Sequence, residues 1–199
     1  MTAQPPSLPR HARGRPPRIA PITPEAATPE QKALLDADPI AHLNVIRTKV
    51  VSPALYKSWS RLSRHVLRHS SLPERDRELL ILRIGWLNQS QYEFTQHVRV
   101  AKGVGFTDAD IARLKLGADA PGWTPLEAAL VRSADQLRSD GMINDPVWAI
   151  LAASYSEVQL LDVIATVGQY NLISWFLNTL RTPLEPGVKP HPMADDADS

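Results

Sequence analysis

Glu78-Leu-Leu-Ile-Leu-Arg-Ile-Gly-Trp-Leu87, followed after Asn88-Gln89 by Ser90-Gln-Tyr-Glu93-Phe-Thr-Gln-His97, decides how this chain of 199 residues folds. From Leu79 to Leu87 the residues are apolar on nearly every side of a helical wheel, with no strand-like alternation. A helix that is apolar all round is stable in water only when neighbours cover it, so this one is expected at the centre of a bundle. Ser90 with Glu93 three residues on reads as a capping box, the start of the next helix.

The same punctuation recurs outward from this centre. Thr28-Pro29-Glu30-Gln31, Ser71-Leu-Pro-Glu74, Thr124-Pro125-Leu-Glu127 and Ser154-Tyr-Ser-Glu157 fit the capping-box pattern, and Ser52-Pro53 and Thr107-Asp108 mark further helix starts. Gly103, Gly105 and Gly117 read as stops. The spacing predicts helices over about 29–37, 53–69, 73–87, 91–103, 108–116, 125–139, 145–153 and 155–180, the last carrying Val158, Leu161, Ile164 or Ala165, and Leu172, with Trp175 and Phe176 beyond. No segment combines strand alternation with hairpin turns, so the expected fold class is all-α, a helical bundle. Residues 1–28, rich in proline and arginine, read as an extended arm, 29–182 as one domain, and 183–199 as a flexible tail.

Composition narrows the function classes. Twenty-two basic and twenty-one acidic residues nearly cancel, which points away from nucleic acid and from an acidic membrane surface. No apolar run approaches the roughly 20 residues a membrane span needs, and the N-terminus lacks the apolar core of a signal peptide, so a cytoplasmic protein is expected. The chain has no cysteine, which excludes disulfides, thiolate metal sites and thiol catalysis together. His65 and His69 have a spacing compatible with a metal, but Arg61, Arg64 and Arg68 surround them and no acidic motif supplies a third ligand. No metal and no cofactor is expected.

Glu93 and His97 are i and i+4, on one face of one helix, and a carboxylate beside an imidazole is a minimal proton-transfer device. Each residue also has a structural reading: Glu93 as the capping partner of Ser90, His97 as a half-buried histidine, Glu78 as one charge in the run Glu74-Arg-Asp-Arg-Glu78. Arg83 interrupts the apolar helix and reads equally as an anion clamp for substrate or as half of an internal ion pair. Trp86, Tyr92, Tyr170 and Trp175 could wall a substrate pocket or belong to the core.

Arg75-Asp-Arg77-Glu78-Leu-Leu-Ile-Leu-Arg83 and Tyr92-Glu93-Phe94-Thr-Gln-His97-Val-Arg-Val-Ala101-Lys-Gly-Val-Gly105 resemble the carboxymuconolactone decarboxylase and AhpD-like superfamily. Trp123-Thr-Pro-Leu-Glu127 and Gly168-Gln-Tyr170-Asn171 are similar to its longer cysteine-free members, and the likeness spans roughly residues 40 to 182. The peroxidase branch has a Cys-x-x-Cys pair where this chain has Ser90 and Glu93, so its dithiol chemistry is excluded here. The decarboxylase branch has Glu-x-x-x-His where Glu93 and His97 stand, although its members are shorter. The resemblance implies a cofactor-free lyase acting on a small carboxylated lactone or related cyclic acid. His97 would be the general acid–base, positioned by Glu93, with Glu78 as a third member and Arg83, Trp86, Tyr92 and Tyr170 binding an anionic small-molecule substrate. A homo-oligomer, trimer or hexamer, is implied as well. The alternatives are another cofactor-free isomerase, dehydratase or hydrolase on this scaffold, and a non-catalytic oligomeric binding module.

Overall fold

The computed structural model describes residues 15–193, and among these every regular element is a helix. They are α1 (Pro29–Asp36), α2 (Asn44–Lys49), α3 (Pro53–Arg64), α4 (Glu74–Leu87), α5 (Gln91–Gly103), α6 (Asp108–Leu116), α7 (Pro125–Ser139), α8 (Asp145–Ala152) and α9 (Glu157–Leu180). The short α2 has no counterpart in the sequence reading, because Leu43 begins it without a capping side chain. The helix expected to run to His69 changes pitch at His65 and finishes as a wider π-helical turn, His65–His69.

The all-apolar helix is central. From Arg77 to Trp86 every residue of α4 is buried, and it packs against α5, α7 and α9. Leu80, Ile81, Leu82 and Ile84 are wholly shielded from water, each contributing about 1.5–3 kcal/mol by burial. A second, smaller cluster of Leu35, Ile46, Val50 and Tyr56 ties α1, α2 and α3 together at one side of the bundle.

Local chemistry explains which starts form as read and which do not. The boxes at Thr28, Thr107 and Thr124 are complete. The last helix begins two residues later than its Ser154 box suggests, because Ser156 and Gln159 form the box instead. Ser71 caps nothing on α4; its backbone N–H and hydroxyl both donate to Asp162 Oδ2. The apolar stripe of Val158, Leu161, Ile164 and Leu172 on α9 is exposed. Leu161 is 67% exposed and Trp175 57%, while Leu160, Val163, Val167, Tyr170 and Leu177 turn inward. Against the expectation that no apolar run approaches that length, helix α9 is long and apolar enough to cross a membrane by length and composition, yet half of that stretch is buried within the protein.

The chain ends nearest the bundle are laid against it. Arg18 N–H donates to the Leu180 carbonyl, and Ile22 joins the smaller cluster. Glu185, Pro192 and the backbone of His191 take hydrogen bonds with the body, and Met193 is buried. The part of the tail from 183 to 193 is therefore packed rather than loose. Arg10 and Arg13 of the arm lie outside the described residues.

Candidate functional site

Helices α4 and α5 run side by side and set three titratable groups between them. Glu78, fully buried on α4, brings Oε2 within 2.8 Å of His97 Nδ1 on α5. Its other oxygen is 3.5 Å from the Arg77 guanidinium. With Nδ1 donating to the carboxylate, the ring tautomer is set and Nε2 is left for a ligand. The Tyr170 ring on α9 meets the imidazole edge-on, 4.8 Å between centroids.

Glu93 does something else. Although the two lie one turn apart, its hydrogen bond goes not to His97 but into the bundle, where Oε2 accepts from Ser174 Oγ at 2.8 Å and Oε1 has no partner among the described residues. It can lie there because position 85 is glycine: a Cβ would stand 3.3 Å from Glu93 Oε1. The capping box with Ser90 is accordingly absent, and the Ser90 hydroxyl is buried without a partner among the described residues. Burial pushes the Glu93 pKa well above the usual 4.5, the neighbouring Glu78 charge adds to this, and the Ser174 hydrogen bond opposes it. Glu93 thus keeps its proton at pH values where an exposed glutamate has lost it. Tyr170, fully enclosed beside both carboxyls, likewise has its hydroxyl pKa raised well above 10.0, by burial first and then by Glu78 and Glu93.

His97, Glu93 and Tyr170 line an inner pocket of about 110 Å³, together with Tyr92, Gln96, Lys49 and aliphatic side chains from α2, α9 and the segment before α2. Tyr92 donates its hydroxyl proton to Glu185 and accepts from Val45 N–H at 3.2 Å. Glu185 also accepts from Gln96 and from Asn44 N–H, so a tail carboxylate fixes one edge of the pocket.

Two residues read as substrate-binding lie elsewhere. Arg83 donates from Nε to Asp135 Oδ1 at 2.6 Å and from Nη1 to the Leu114 carbonyl at 2.7 Å, the internal ion pair rather than an anion clamp. Trp86 packs on Phe94 at 5.6 Å in the core and takes no part in the pocket wall. Trp175 lies in a surface groove between α3 and α9. His65 Nε2 is paired with Asp162 at 2.7 Å, and among the described residues no group of three or more potential ligands could hold a metal ion. The sequence reading missed Lys49, Ser174 and Glu185. A lone serine in the apolar run Leu172-Ile-Ser-Trp-Phe176 was a signal for Ser174; Lys49 and Glu185 carried none.

Residues 53–136, the segment holding Glu78, Glu93 and His97, match the carboxymuconolactone decarboxylase family. The chain is therefore similar to this family over the segment that carries the three titratable residues. Solved structures share the architecture of this chain. An uncharacterized peroxidase-related protein from Silicibacter sp. TM1040 is 11% identical, with TM-score 0.74 over 88% of this chain and 97% of its own. A protein of unknown function from Agrobacterium tumefaciens, described as an antioxidant defence protein AhpD, is 22% identical, with TM-score 0.61 over 67% of this chain and 92% of its own. The debrominase Bmp8, solved in complex with 2,3,4-tribromopyrrole, is 13% identical, with TM-score 0.69 over 84% of this chain and 91% of its own. Likeness at these identities establishes the all-α fold and not the reaction. No curated protein matches the chain.

Proposed function

We propose that this protein is a cofactor-independent acid–base enzyme of the carboxymuconolactone decarboxylase and AhpD-like superfamily acting on a small anionic molecule, and more finely a decarboxylase of a carboxylated lactone or related cyclic acid. The observation that carries the proposal is the Glu78–His97 pair opening onto an apolar pocket beside a second, proton-holding carboxyl group. A carboxyl kept protonated by burial beside a carboxylate–imidazole pair suits divided acid and base roles. A binding module has no need of that division.

The chemistry requires little else. Loss of CO2 leaves the bonding electron pair on the carbon next to the ring carbonyl, as an enolate. The protonated His97, steadied by Glu78, returns a proton to that carbon from Nε2 and is recharged from solvent. Glu93, still protonated, donates a hydrogen bond to the enolate oxygen as charge develops there. The apolar walls exclude water and favour loss of the departing carboxylate's charge.

Release of CO2 from 4-carboxymuconolactone by the purified protein tests this, run beside His97→Asn and Glu78→Gln. Turnover by wild type should drop by about 10²–10⁴-fold in His97→Asn, with helical signal and melting temperature retained, and by less in Glu78→Gln. Equal turnover in wild type and His97→Asn would remove the histidine from the mechanism. No release from wild type would overturn the decarboxylase reading. Solvent-deuterium exchange into small ring acids, abolished by His97→Asn, would then be the remaining support for acid–base chemistry. Self-association belongs to the same proposal, supported by the exposed apolar stripe of α9.

A further inference from the structure

Behind the inner pocket lies a larger cavity of about 690 Å³, between α3 with its π-helical turn and the segment from α1 to α2. Ile40, Ile46, Lys49, Ser63 and Leu67 line both spaces, so the two adjoin and Lys49 stands at their junction. We propose that Lys49 and this outer cavity form an anion subsite, holding on the ammonium a carboxylate of the ligand whose apolar body occupies the inner pocket beside His97. The inference rests on the acid–base reading of that pocket and names what its substrate must carry: an anionic group that the reaction does not consume.

The argument begins with the state of the amine. Lys49 is 4% exposed, yet it makes no hydrogen bond and no ion pair among the described residues. A largely buried ammonium without a protein acceptor loses much of its hydration and regains little. What compensation exists is indirect. The Trp59 ring lies 5.0 Å from Nζ, and Asp38 contributes its charge from a distance. The Asp38 carboxylate is itself engaged, accepting from the Tyr56 hydroxyl and, at 3.0 Å, from Ile40 N–H. Desolvation pulls the Lys49 pKa down to about 8, with Asp38 opposing, so the amine remains mostly charged at neutral pH. A cation held at a cavity junction with its donors unused is a preorganised contact for an anion, and it weakens the fold until that anion arrives.

The rim fits an anion too. Arg61, Arg64 and Arg68 line the outer cavity from exposed positions and form no ion pair among the described residues. Such a rim attracts anions by its long-range field and leaves the desolvated contact to Lys49. Size sets the class of ligand. An apolar cavity of about 150 Å³ holds benzene, and the inner pocket of about 110 Å³ gains the difference by opening toward the outer one. A single small ring or a short branched chain bearing a carboxylate fits this space. The carboxylate on Lys49 is a permanent one, because an ammonium against a departing carboxylate would stabilise the ground state and slow its loss.

Calorimetric titration of the full chain with benzoate and with benzamide tests the subsite. Wild type should bind benzoate at least tenfold more tightly than benzamide. Lys49→Met should lose that preference while melting at or above the wild-type temperature, and Lys49→Arg should keep it. Should Lys49→Met fail to fold, Lys49→Gln supplies the same contrast. Preference surviving removal of the amine, or a wild type that binds both alike or neither, would overturn the proposal. His97→Asn should retain the benzoate preference whatever its effect on turnover, so failure of the subsite and failure of the acid–base reading are separable.

Discussion

Replacing Glu93 by glutamine removes one proton-binding group while keeping nearly the same shape, and the surroundings of Glu93 set what should follow. In the unfolded chain this glutamate titrates near 4.5, and in the fold burial, with the Glu78 charge, raises its pKa well above that. Below pH 4.5 both states hold the proton, and the fold has the full benefit of its protonated carboxyl. As pH rises, the unfolded chain releases its proton while the folded one does not. Wild-type stability then falls, by up to about 1.4 kcal/mol per pH unit for this single group, until pH passes the raised folded value. The substituted glutamine would still accept from Ser174 Oγ through its amide oxygen, and its own contribution does not change with pH. Urea unfolding of both proteins at intervals from pH 4 to pH 8 gives the difference curve, in which all other titrating groups cancel. Stability of Glu93→Gln minus that of wild type should climb steadily above pH 4.5, and turnover should fall because the acid is gone. A difference that stays flat across this range would mean that Glu93 is ionised in the fold, and the division of roles between the two carboxyls would collapse.

Arg83→Met should cost about 2–4 kcal/mol, because it leaves Asp135 and the Leu114 carbonyl without their partner, yet turnover per folded molecule should match wild type. Stability unchanged with activity lost would restore Arg83 as a substrate clamp. Leu161→Glu places a charge in the exposed stripe of α9 and should lower the solution mass measured by light scattering without lowering the melting temperature by more than a few degrees. A wild type that is already monomeric at micromolar concentration would refute the role given to that stripe.

Helix boundaries were legible because their causes are local. Thr28, Thr107 and Thr124 cap the backbone within three residues of themselves, and the apolar run of α4 needs no partner's identity to be read as central. The segment that matches the carboxymuconolactone decarboxylase family was legible for the same reason, since its spacing of Glu78, Glu93 and His97 lies along one stretch of chain. The partners of those residues were not. Helical spacing puts Glu93 next to His97, but spacing says nothing of the close approach of its carboxyl to Gly85 or of Ser174, whose hydroxyl donates to it instead.

The sequence by itself determined that this chain is an all-α bundle built around α4, that it has no thiol chemistry, and that its candidate acid–base residues lie on two consecutive helices. Only the tertiary structure decided that Glu78 is the partner of His97, that Glu93 is an enclosed proton-holding acid, that Arg83 belongs to Asp135, and that Lys49 faces the pocket with no hydrogen bond or ion pair among the described residues. The physical reason is range. Capping and amphipathic spacing act over three or four residues, whereas burial and ion pairing depend on which distant helices meet, as Glu93 meets Ser174 across 81 positions and Arg83 meets Asp135 across 52.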